Sequence, residues 1–423
     1  MKASSIDSPS FLRAPIRPTG LERLARRLVT SRLKHLRRGQ VVIKDRGRIA
    51  TFGSLSDEYP LTAVIVVKHP AFYSDIAFGG SIGAGEAYMQ GHWQCDELTS
   101  LLRILLINRD VLENLDSGMA RLANPMRKAL HWLNRNTRSG SRKNIAAHYD
   151  LGNDFYALWL DQRMMYSSAY FDAADKTLEE ASVAKLERIC KKLDLSADDT
   201  VIEIGTGWGG FAIYAAENYG CHVTTTTISR EQYDLAKSRV AAAGLEDRVT
   251  LLFDDYRDLE GQYDKLVSIE MIEAVGHQFH DSFFEKCSSL LKPDGQMLLQ
   301  AITIADQQYD QYKYGVDFIR RYIFPGGCLT SVTDMTRVIT DRTDMRAFHI
   351  EDIGAHYAKT LRHWHDRFSK RLDVVREQGY SDAFIRMWKY YLCYCEGAFI
   401  ERATGTVQML VLKPAARRNT VSY

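Results

Sequence analysis

The strongest constraint on the fold is an alternation of apolar and amphipathic segments that begins at Thr200. Segments typical of strands (TVIEIG, HVTTTTIS, VTLLFDD, KLVSIEM, GQMLLQAITI) are separated by segments typical of helices, such as GGFAIYAAENYG and REQYDLAKSRVAAAG. Such alternation predicts a parallel sheet with helices on both faces. Ligands of these sheets bind at the carboxyl ends of the strands, where the strand order reverses. We therefore expect a doubly wound α/β fold.

The loop after the first of these strands, in VIEIGTGWGG, is rich in glycine. Glycine lets the backbone turn sharply and lets a ligand approach the main chain. The GxGxG spacing differs from the GxGxxG of dinucleotide sites, and no Gly-Lys-Ser/Thr follows as in a phosphate-binding loop. The loop therefore favours a nucleoside ligand without a pyrophosphate, and the alternative is a plain tight turn between strand and helix.

The region before this alternation predicts a second, smaller domain. Short β-rich pieces such as QVVIKD and LTAVIVVKH lie between about residues 40 and 95, and a helical stretch runs from Thr99 to about Leu133. The polar segment NRNTRSGSRKN follows. We divide the chain into an N-terminal helical and α+β domain (1–134) that binds lipid or membrane, a linker (135–142) and a catalytic domain (143–423).

Charge and hydropathy give limited information about partners. The formal net charge is only +2, so attraction to anionic surfaces must come from local patches. One such patch is GLERLARRLVTSRLKHLRRG, whose apolar residues recur at helical spacing beneath a basic face; it is interpreted as a surface helix, a membrane-attachment helix or a targeting peptide. No apolar run long enough to span a membrane and no secretory signal are recognised. The seven scattered cysteines are typical of a reducing cytoplasm.

Several longer segments carry a resemblance to a known family. HYDLGNDFYALWLDQRMMYSSAYF, TISREQ, YRDL, RYIFPGGCL, AHYAKTL and YYLCYCEGAF follow one another between residue 143 and about 412. Together they resemble the cyclopropane-fatty-acid synthase and mycolic-acid methyltransferase family of class I S-adenosylmethionine (SAM)-dependent enzymes. GSIGAGEAYMQGHW resembles the extra N-terminal domain of bacterial synthases that act on intact phospholipids. One class I feature is missing, because VTTTTISREQ lacks the usual acidic residue directly after the second strand.

The resemblance implies SAM as cofactor and the unsaturated acyl chains of membrane phospholipids as substrate. It therefore implies a cytoplasmic enzyme associated peripherally with the inner face of the membrane. Nucleic acid is not an expected partner, because the basic residues cluster at one terminus, and a homodimer is left open. The residues that it assigns to the cofactor are Tyr166, Ser167, Glu203, Gly205, Gly207, Gly209, Thr227, Ser229, Gln232, Tyr256 and Arg257.

The implied reaction leaves a carbocation on the acyl chain, which aromatic side chains can stabilise. The cation must then lose a proton, and the resemblance implies a bound bicarbonate as the base. Glu273 in MIEAVG and Tyr357 in AHYAKTL match the residues that hold it, whereas Glu270 is given a structural or cofactor-facing role. Cys395 matches an active-site cysteine of the family, and the alternative is a small buried apolar residue. His277 and His280 lack further ligands, so no metal is expected.

Two residues of the expected catalytic set depart from the family pattern. Ser168 stands where the family has Cys in YSCAY, and Gln300 where it has His in LLHTI. Glutamine can donate a hydrogen bond to an anion but cannot share a proton near neutral pH. We therefore expect a retuned base site, with a methyl-branched or methylene-bearing product as the alternative to a cyclopropane. A methyltransferase of a soluble small molecule and a lipid-binding module without catalysis also stay open.

Overall fold

The computed structural model describes residues 19–111 and 151–423. Its smaller sheet has the order β2-β1-β3-β4, in which β1 is antiparallel to β2 and parallel to β3. Three helices accompany these strands. The elements are α1 (Gly20–Leu33), β1 (Gly39–Asp45), β2 (Arg48–Ser54), β3 (Thr62–Val67), α2 (Ala71–Met89), β4 (Trp93–Cys95) and α3 (Leu98–Ile107). The predicted linker at 135–142 and the boundary at 143 lie outside the described residues.

The larger sheet has seven strands in the order β10-β11-β9-β8-β5-β6-β7. The five strands from β9 to β7 are parallel, whereas β11 runs antiparallel to both β9 and β10. The strands are β5 (Thr200–Ile204), β6 (His222–Thr226), β7 (Val249–Leu252), β8 (Tyr263–Ile269), β9 (Leu291–Ile304), β10 (Arg346–Asp352) and β11 (Thr404–Leu412). This arrangement confirms the predicted α/β fold. The order reverses at β5, so a ligand crevice is expected at the carboxyl ends of β5 and β8.

Helices cover this sheet, and their first residues are set by capping side chains. Thr177 and Glu180 form a capping box at the start of α5, and Ser229 caps α7. The helices are α4 (Asn153–Ala157), α5 (Leu178–Leu193), α6 (Gly210–Tyr219), α7 (Arg230–Ala242), α8 (His280–Ser289), α9 (Asp306–Tyr312), α10 (Phe318–Tyr322), α11 (Val332–Arg342), α12 (Gly354–Ser369), α13 (Leu372–Glu377) and α14 (Asp382–Ile400). In the described ranges, no helix combines the length and apolar character needed to cross a bilayer.

Helix α14 connects the two sheets. It packs against α2 and α3 of the N-terminal part and against α12 of the catalytic part. The approach is close at Gly85 in α2, where a Cβ atom would lie 2.5 Å from the Phe318 ring and 3.2 Å from the Tyr390 ring. One buried apolar cluster, which includes Phe72, Leu101 and Trp388, therefore runs through both parts of the molecule. Apolar burial of this extent stabilises the docking of the two parts.

Candidate functional site

A cavity of about 980 Å³ lies at the carboxyl ends of β5 and β8 and extends into the N-terminal part. Its wall changes in character from one end to the other. The polar end is formed by Glu203, Gly205, Gly207, Thr227 and Asp255, the middle by Glu270, Glu273 and Tyr357, and the apolar end by Leu33, Ile65, Phe72, Leu101 and Leu106. The cavity thus joins a site for a polar ligand to a site for an apolar one.

The glycine loop forms the polar end because its backbone adopts conformations that favour glycine. Gly205, Gly207 and Gly209 have φ angles of +106°, +54° and +85°. A Cβ atom on Gly205 would lie 3.2 Å from Met271, whereas one on Gly207 would meet nothing within 4 Å and would project into open space. Gly205 and Gly207 line the cavity, and Gly209 is the N-cap of α6. The loop therefore leaves room for a ligand against the main chain.

Glu203 at the end of β5 supplies a buried carboxyl group beside this loop. It accepts a hydrogen bond of 2.6 Å from the hydroxyl of Thr225, which is itself 2.7 Å from the Thr206 hydroxyl. Burial raises the pKa of Glu203 to about 8. The carboxyl group and the two hydroxyls form a polar cluster at the point where the sequence lacks the usual acidic residue after β6.

Two further loops complete the polar end. The Thr227 hydroxyl donates to Oε1 of Gln232 at 2.9 Å, and both residues line the cavity, whereas Ser229 caps α7 beside them. After β7, Arg257 makes a two-pronged ion pair with Asp255, with Nε–Oδ1 and Nη2–Oδ2 distances of 2.8 and 2.6 Å. This pair fixes the loop that carries Tyr256. Asp255, Tyr256 and Arg257 all line the cavity.

Tyr166 and Ser167 reach the cavity from the segment before α5. The Tyr166 hydroxyl lies 2.9 Å from that of Tyr391, and Ser167 accepts a hydrogen bond of 2.9 Å from Nζ of Lys185. Lys185 is completely buried, and burial lowers its pKa to about 8 despite the nearby carboxylates of Glu270 and Asp161. Sequence reasoning missed Lys185, because a lysine in an amphipathic helix is usually a solvated residue.

Glu270 stands at the centre of the site. Its Oε1 accepts hydrogen bonds from the backbone N–H of Ser168 at 2.9 Å and from Nε2 of Gln300 at 2.8 Å. Its Oε2 accepts one from the Tyr357 hydroxyl at 2.7 Å. The residue has a φ of +51°, a left-handed conformation that costs a side chain other than glycine of the order of 1 kcal/mol. Such strain is typical of a residue held in place by its surroundings for a functional reason.

The structure therefore changes the grouping expected from sequence. Three of the predicted catalytic residues, Ser168, Gln300 and Tyr357, contact Glu270, which sequence analysis gave a structural or cofactor-facing role. Glu273 lies in the following short 3₁₀ turn (Ile272–Ala274) and also lines the cavity. The sequence signal that could have identified Glu270 as a site residue is its position directly after β8, at the carboxyl edge of the sheet.

Glu273 has one bound and one free carboxyl oxygen. Its Oε1 accepts the backbone N–H of Ile302, while Oε2 is buried and has no hydrogen-bond partner in the described part of the chain. Burial, together with the negative charge of Glu270, raises the pKa of Glu273 to about 8. At neutral pH the side chain is therefore mainly protonated, and Glu270 and Glu273 form a pair of buried carboxyl groups that repel a further negative charge.

A chain of side-chain amides fixes the orientation of Gln300. Lys192 Nζ donates to Oε1 of Gln408 at 2.8 Å, and Nε2 of Gln408 donates to Oε1 of Gln300 at 3.0 Å. Because Oε1 of Gln300 is occupied in this way, its Nε2 is left to donate to Glu270. Gln300 and Gln408 are both completely buried. The amide chain makes position 300 a fixed hydrogen-bond donor.

Cys395 lies in the cavity wall contributed by α14. Burial raises the pKa of its thiol well above the ordinary value, so the residue is a neutral thiol at physiological pH. A catalytic part for Cys395 stays a prediction. In the described residues, no group of three or more His, Cys, Asp or Glu side chains is arranged to hold a metal ion.

The polar end of the cavity fits SAM. Close approach to the glycine loop suits the amino acid part of the cofactor, and the buried carboxyl group of Glu203 can accept a hydrogen bond from it. Contact of Tyr256 and Arg257 with the adenine stays a prediction. The middle of the cavity lies between this end and the apolar wall, which is where the reactive methyl group of SAM has to meet its acceptor.

Comparisons with known proteins agree with this site. Residues 136–409 match the family model described as mycolic acid cyclopropane synthetase. The chain is 40% identical over 348 residues to the cyclopropane-fatty-acyl-phospholipid synthase of Escherichia coli, which covers 80% of this chain and 85% of that protein. It is 38% identical over 338 residues to tuberculostearic acid methyltransferase UfaA1 of Mycobacterium tuberculosis, which covers 76% of each chain.

A solved structure gives the same result. Mycolic acid cyclopropane synthase CmaA1 complexed with SAH and CTAB superposes with a TM-score of 0.60 at 29% sequence identity. The superposition covers 64% of this chain and 98% of that protein.

Proposed function

The chain belongs to the mycolic acid cyclopropane synthetase family of SAM-dependent enzymes, and we propose that it transfers a one-carbon unit to the double bond of an unsaturated acyl chain in a membrane phospholipid. The observation that carries this proposal is the single cavity that joins the glycine loop to an apolar wall. The relatives' names support it, because one is a cyclopropane-fatty-acyl-phospholipid synthase and the other a tuberculostearic acid methyltransferase.

The apolar end suits an acyl chain because it is built from aliphatic and aromatic side chains of four elements. Leu33 comes from α1, Ile65 from β3, Phe72 from α2, and Leu101 and Leu102 from α3. Each methylene group that enters such a wall gains about 0.8 kcal/mol. A small polar substrate would leave this surface uncovered, so the geometry disfavours a soluble amine or phenol as methyl acceptor.

The middle of the cavity suits the chemistry. Bound SAM supplies an electrophilic methyl group, and the isolated double bond is a weak nucleophile, so the two must be aligned away from water. Tyr391, Tyr394 and Phe399 of α14 line this region and offer aromatic faces to a cation. Glu270 and Glu273 lie in the same wall. Loss of a proton to a base here closes a cyclopropane ring.

Contact with a membrane is supported by the outer face of α1. Leu21, Leu24 and Leu28 are 56%, 51% and 41% exposed, while Ala25, Val29 and Leu33 on the inner face are buried. The exposed side chains of Arg27 and Arg32 flank this leucine stripe on the helical wheel. An apolar stripe with basic edges is typical of helices that lie on anionic lipid. Its inner face includes Val29 and Leu33 of the cavity wall, so α1 connects the surface with the apolar end.

We place this contact at the inner face of the cytoplasmic membrane. All seven cysteines are free thiols, which is typical of a reducing compartment. Phospholipid, not free fatty acid, is proposed as substrate because α1 would hold the enzyme at the surface where acyl chains are anchored by their headgroups.

A methyl-branched or methylene-bearing acyl chain is the second candidate product. It is favoured by the 38% identity to a tuberculostearic acid methyltransferase. Ring closure and branching share the first step and differ only in the fate of the cation. The second candidate therefore leaves the cofactor and acyl sites unchanged.

The experiment is expression in a bacterial host without cyclopropane fatty acids, followed by gas chromatography and mass spectrometry of the fatty acids. We expect a saturated product one CH₂ heavier than the unsaturated precursor, with the retention of a cyclopropane. A methyl-branched or methylene-bearing product would favour the second candidate. In parallel, liposomes of unsaturated phospholipid are incubated with methyl-labelled SAM and the purified chain. Absence of label in the lipid, with SAM binding intact, would contradict the proposal.

A further inference from the structure

Bicarbonate is the base that the family resemblance implies, held by Glu273 and Tyr357, but the hydrogen-bond donors around this site are already engaged. The backbone N–H of Ser168, Nε2 of Gln300 and the hydroxyl of Tyr357 all donate to the carboxylate of Glu270. Two of these donors meet at Oε1 and the third at Oε2, so they hold a planar O–C–O group. A bicarbonate at the same donors would overlap this carboxylate. The residues present therefore do not fit a bound bicarbonate.

Charge leads to the same conclusion. Glu270 and Glu273 are both half-buried in the cavity wall, and desolvation together with the charge of Glu270 raises the pKa of Glu273 to about 8. A third acidic group would add repulsion inside a site with low dielectric. A nearby cation that acts on Glu270 is that of Lys185, whose Nζ hydrogen-bonds to Ser167. Within the described residues, the positive charge of Lys185 therefore balances the negative charge of one carboxylate.

We propose that Glu270 is the base of this enzyme and replaces a dissolved bicarbonate, so that catalysis does not depend on an added anion. This inference rests on the proposed acyl-chain reaction, and it assigns the proton-accepting step to a residue of the chain itself.

The step balances without a further reactant. The electron pair of the double bond forms a bond to the methyl carbon, and the carbon–sulfur bond breaks with its pair kept by sulfur. The electron pair of a C–H bond of the new methyl group then forms a bond to the cationic neighbouring carbon, which closes the three-membered ring. The proton of that bond goes to Oε2 of Glu270, which among the described residues accepts a hydrogen bond from Tyr357 alone and so keeps a lone pair. Water takes up the proton when the products leave.

Gln300 suits this arrangement better than a histidine would. The amide chain from Lys192 through Gln408 holds Nε2 of Gln300 toward Glu270 as a donor. An amide cannot take the proton itself, so Glu270 is left as the acceptor. Desolvation raises the pKa of Glu270 from its ordinary value while the three donors and Lys185 counteract part of that shift. A raised pKa makes a carboxylate a stronger base.

The backbone at position 270 provides the variant that tests the inference. Its φ of +51° is the conformation that glycine adopts without cost, so Glu270→Gly keeps the loop and opens a carboxylate-sized space between the three donors. Glu270→Gln is the matched control, because the amide fills the space but accepts no proton. Glu396→Gln serves as a distant control: Glu396 is also buried, accepts hydrogen bonds from Thr99 and Arg362, and does not line the cavity.

The activity arm uses the full chain, liposomes of unsaturated phospholipid and methyl-labelled SAM in buffer freed of carbon dioxide. We expect wild type and Glu396→Gln to work equally well with and without added bicarbonate. Loss of a general base lowers the rate by roughly 10²- to 10⁴-fold, so Glu270→Gly should be inactive in the depleted buffer and partly restored by bicarbonate, formate or acetate. Glu270→Gln should stay inactive with all three. A wild-type enzyme that stops in depleted buffer and recovers with bicarbonate would overturn the inference.

The binding arm does not depend on lipid chemistry. Saturation-transfer NMR with formate, and carbon-13 line broadening with labelled bicarbonate, report anion binding to each variant after SAM binding and thermal melting have shown that it is folded. Glu270→Gly should bind these anions, whereas wild type and Glu270→Gln should not. Equal bicarbonate binding by wild type and Glu270→Gly would contradict the inference. This arm decides the question even where no lipid is methylated, a result that would contradict only the proposed function.

Discussion

The hydroxyl of Tyr357, in the first turn of α12, lies 2.7 Å from Oε2 of Glu270, which follows β8. The bond joins two elements that are 87 residues apart in sequence. It orients the carboxyl group toward the cavity and stabilises its charged form. Phe399 of α14 stacks on the Tyr357 ring with centroids 4.4 Å apart, which holds the phenol in position.

Tyr357→Phe should slow catalysis and move its pH dependence. Removal of a hydrogen bond to a buried carboxylate costs about 1.5–3 kcal/mol, which is roughly 10- to 100-fold in rate. Because the Tyr357 bond lowers the pKa of Glu270, its loss should raise that pKa, and the acidic limb of the kcat profile should move to higher pH. Lys185 and Glu273 still face the group in the variant. A profile that keeps its midpoint would contradict this account.

Gln408→Met should disturb the site without touching substrate. The variant removes the donor that orients Gln300, so Nε2 of Gln300 is no longer held toward Glu270. We expect kcat to fall by roughly tenfold, as for other residues that orient a catalytic group, with KM for the phospholipid unchanged. The acidic limb should again move to higher pH, an effect that a purely structural role would not produce. Melting temperature serves as the control for folding.

Gln300→His should change the ratio of products. A protonated imidazole would pair with Glu270, lower its pKa and weaken it as a base. The cation would then persist longer and give more methyl-branched or methylene-bearing chains, above all at acidic pH. Gas chromatography of lipids methylated at several pH values provides the measurement. The same product ratio as wild type throughout would count against the idea that position 300 tunes the base.

Glu273→Gln should make stability less sensitive to pH. The pKa of Glu273 is raised to about 8 in the folded protein from an ordinary value of 4.5, so between these values the folded state binds more protons than the unfolded state. Stability from this group is therefore full below about pH 4.5 and is lost as pH rises through about 8. Melting curves at pH 5.5 and pH 8 should show a smaller loss for the variant than for wild type, whereas equal losses would contradict the shifted pKa.

The triple variant Leu21→Ser, Leu24→Ser and Leu28→Ser should bind anionic vesicles at least about tenfold more weakly, because burial of one leucine in an apolar phase contributes about 1.5–3 kcal/mol. Co-sedimentation with vesicles measures this binding, and added salt should weaken the wild-type contact further. The double variant Ile49→Ser and Leu55→Ser is the control, since both side chains are more than half exposed and lie outside α1. Equal loss in both variants would mean that α1 is not the contact.

Sequence patterns predicted the parallel strands of the larger sheet but not the direction of β11 or the helix α2. Each strand from β5 to β9 coincides with an apolar segment bounded by turn residues. The antiparallel direction of β11 could not be read in this way, since most of TGTVQMLVL is buried on both faces of the sheet, as in the parallel strands. The glycine-rich segment within α2 gave no helix signal, because glycine costs a helix about 1 kcal/mol relative to alanine. Close packing of Gly85 against Phe318 explains why glycine is kept there.

The sequence predicted several residues of the site but not the contacts between them. The family motifs pointed to Ser168, Gln300 and Tyr357, and the structure brings all three together. They did not show which glutamate meets them, because this depends on the left-handed backbone of Glu270 and on the pairing of Ile269 with Gln300 between β8 and β9. Lys192 and Gln408 were missed for the same reason, since their contacts join distant parts of the chain.

Two parts of the chain form different regions of the cavity wall. Glu270, Gln300 and Tyr357 lie directly after β8, on β9 and on α12, whereas the apolar end is formed by α1, α2, β3 and α3. Under the proposed function, the depth of that end, measured from Glu270, would limit how far an acyl chain can enter. The N-terminal part would then act as a ruler for double-bond position. Substitutions that lengthen or shorten it can change which fatty acid is modified while the chemistry stays the same.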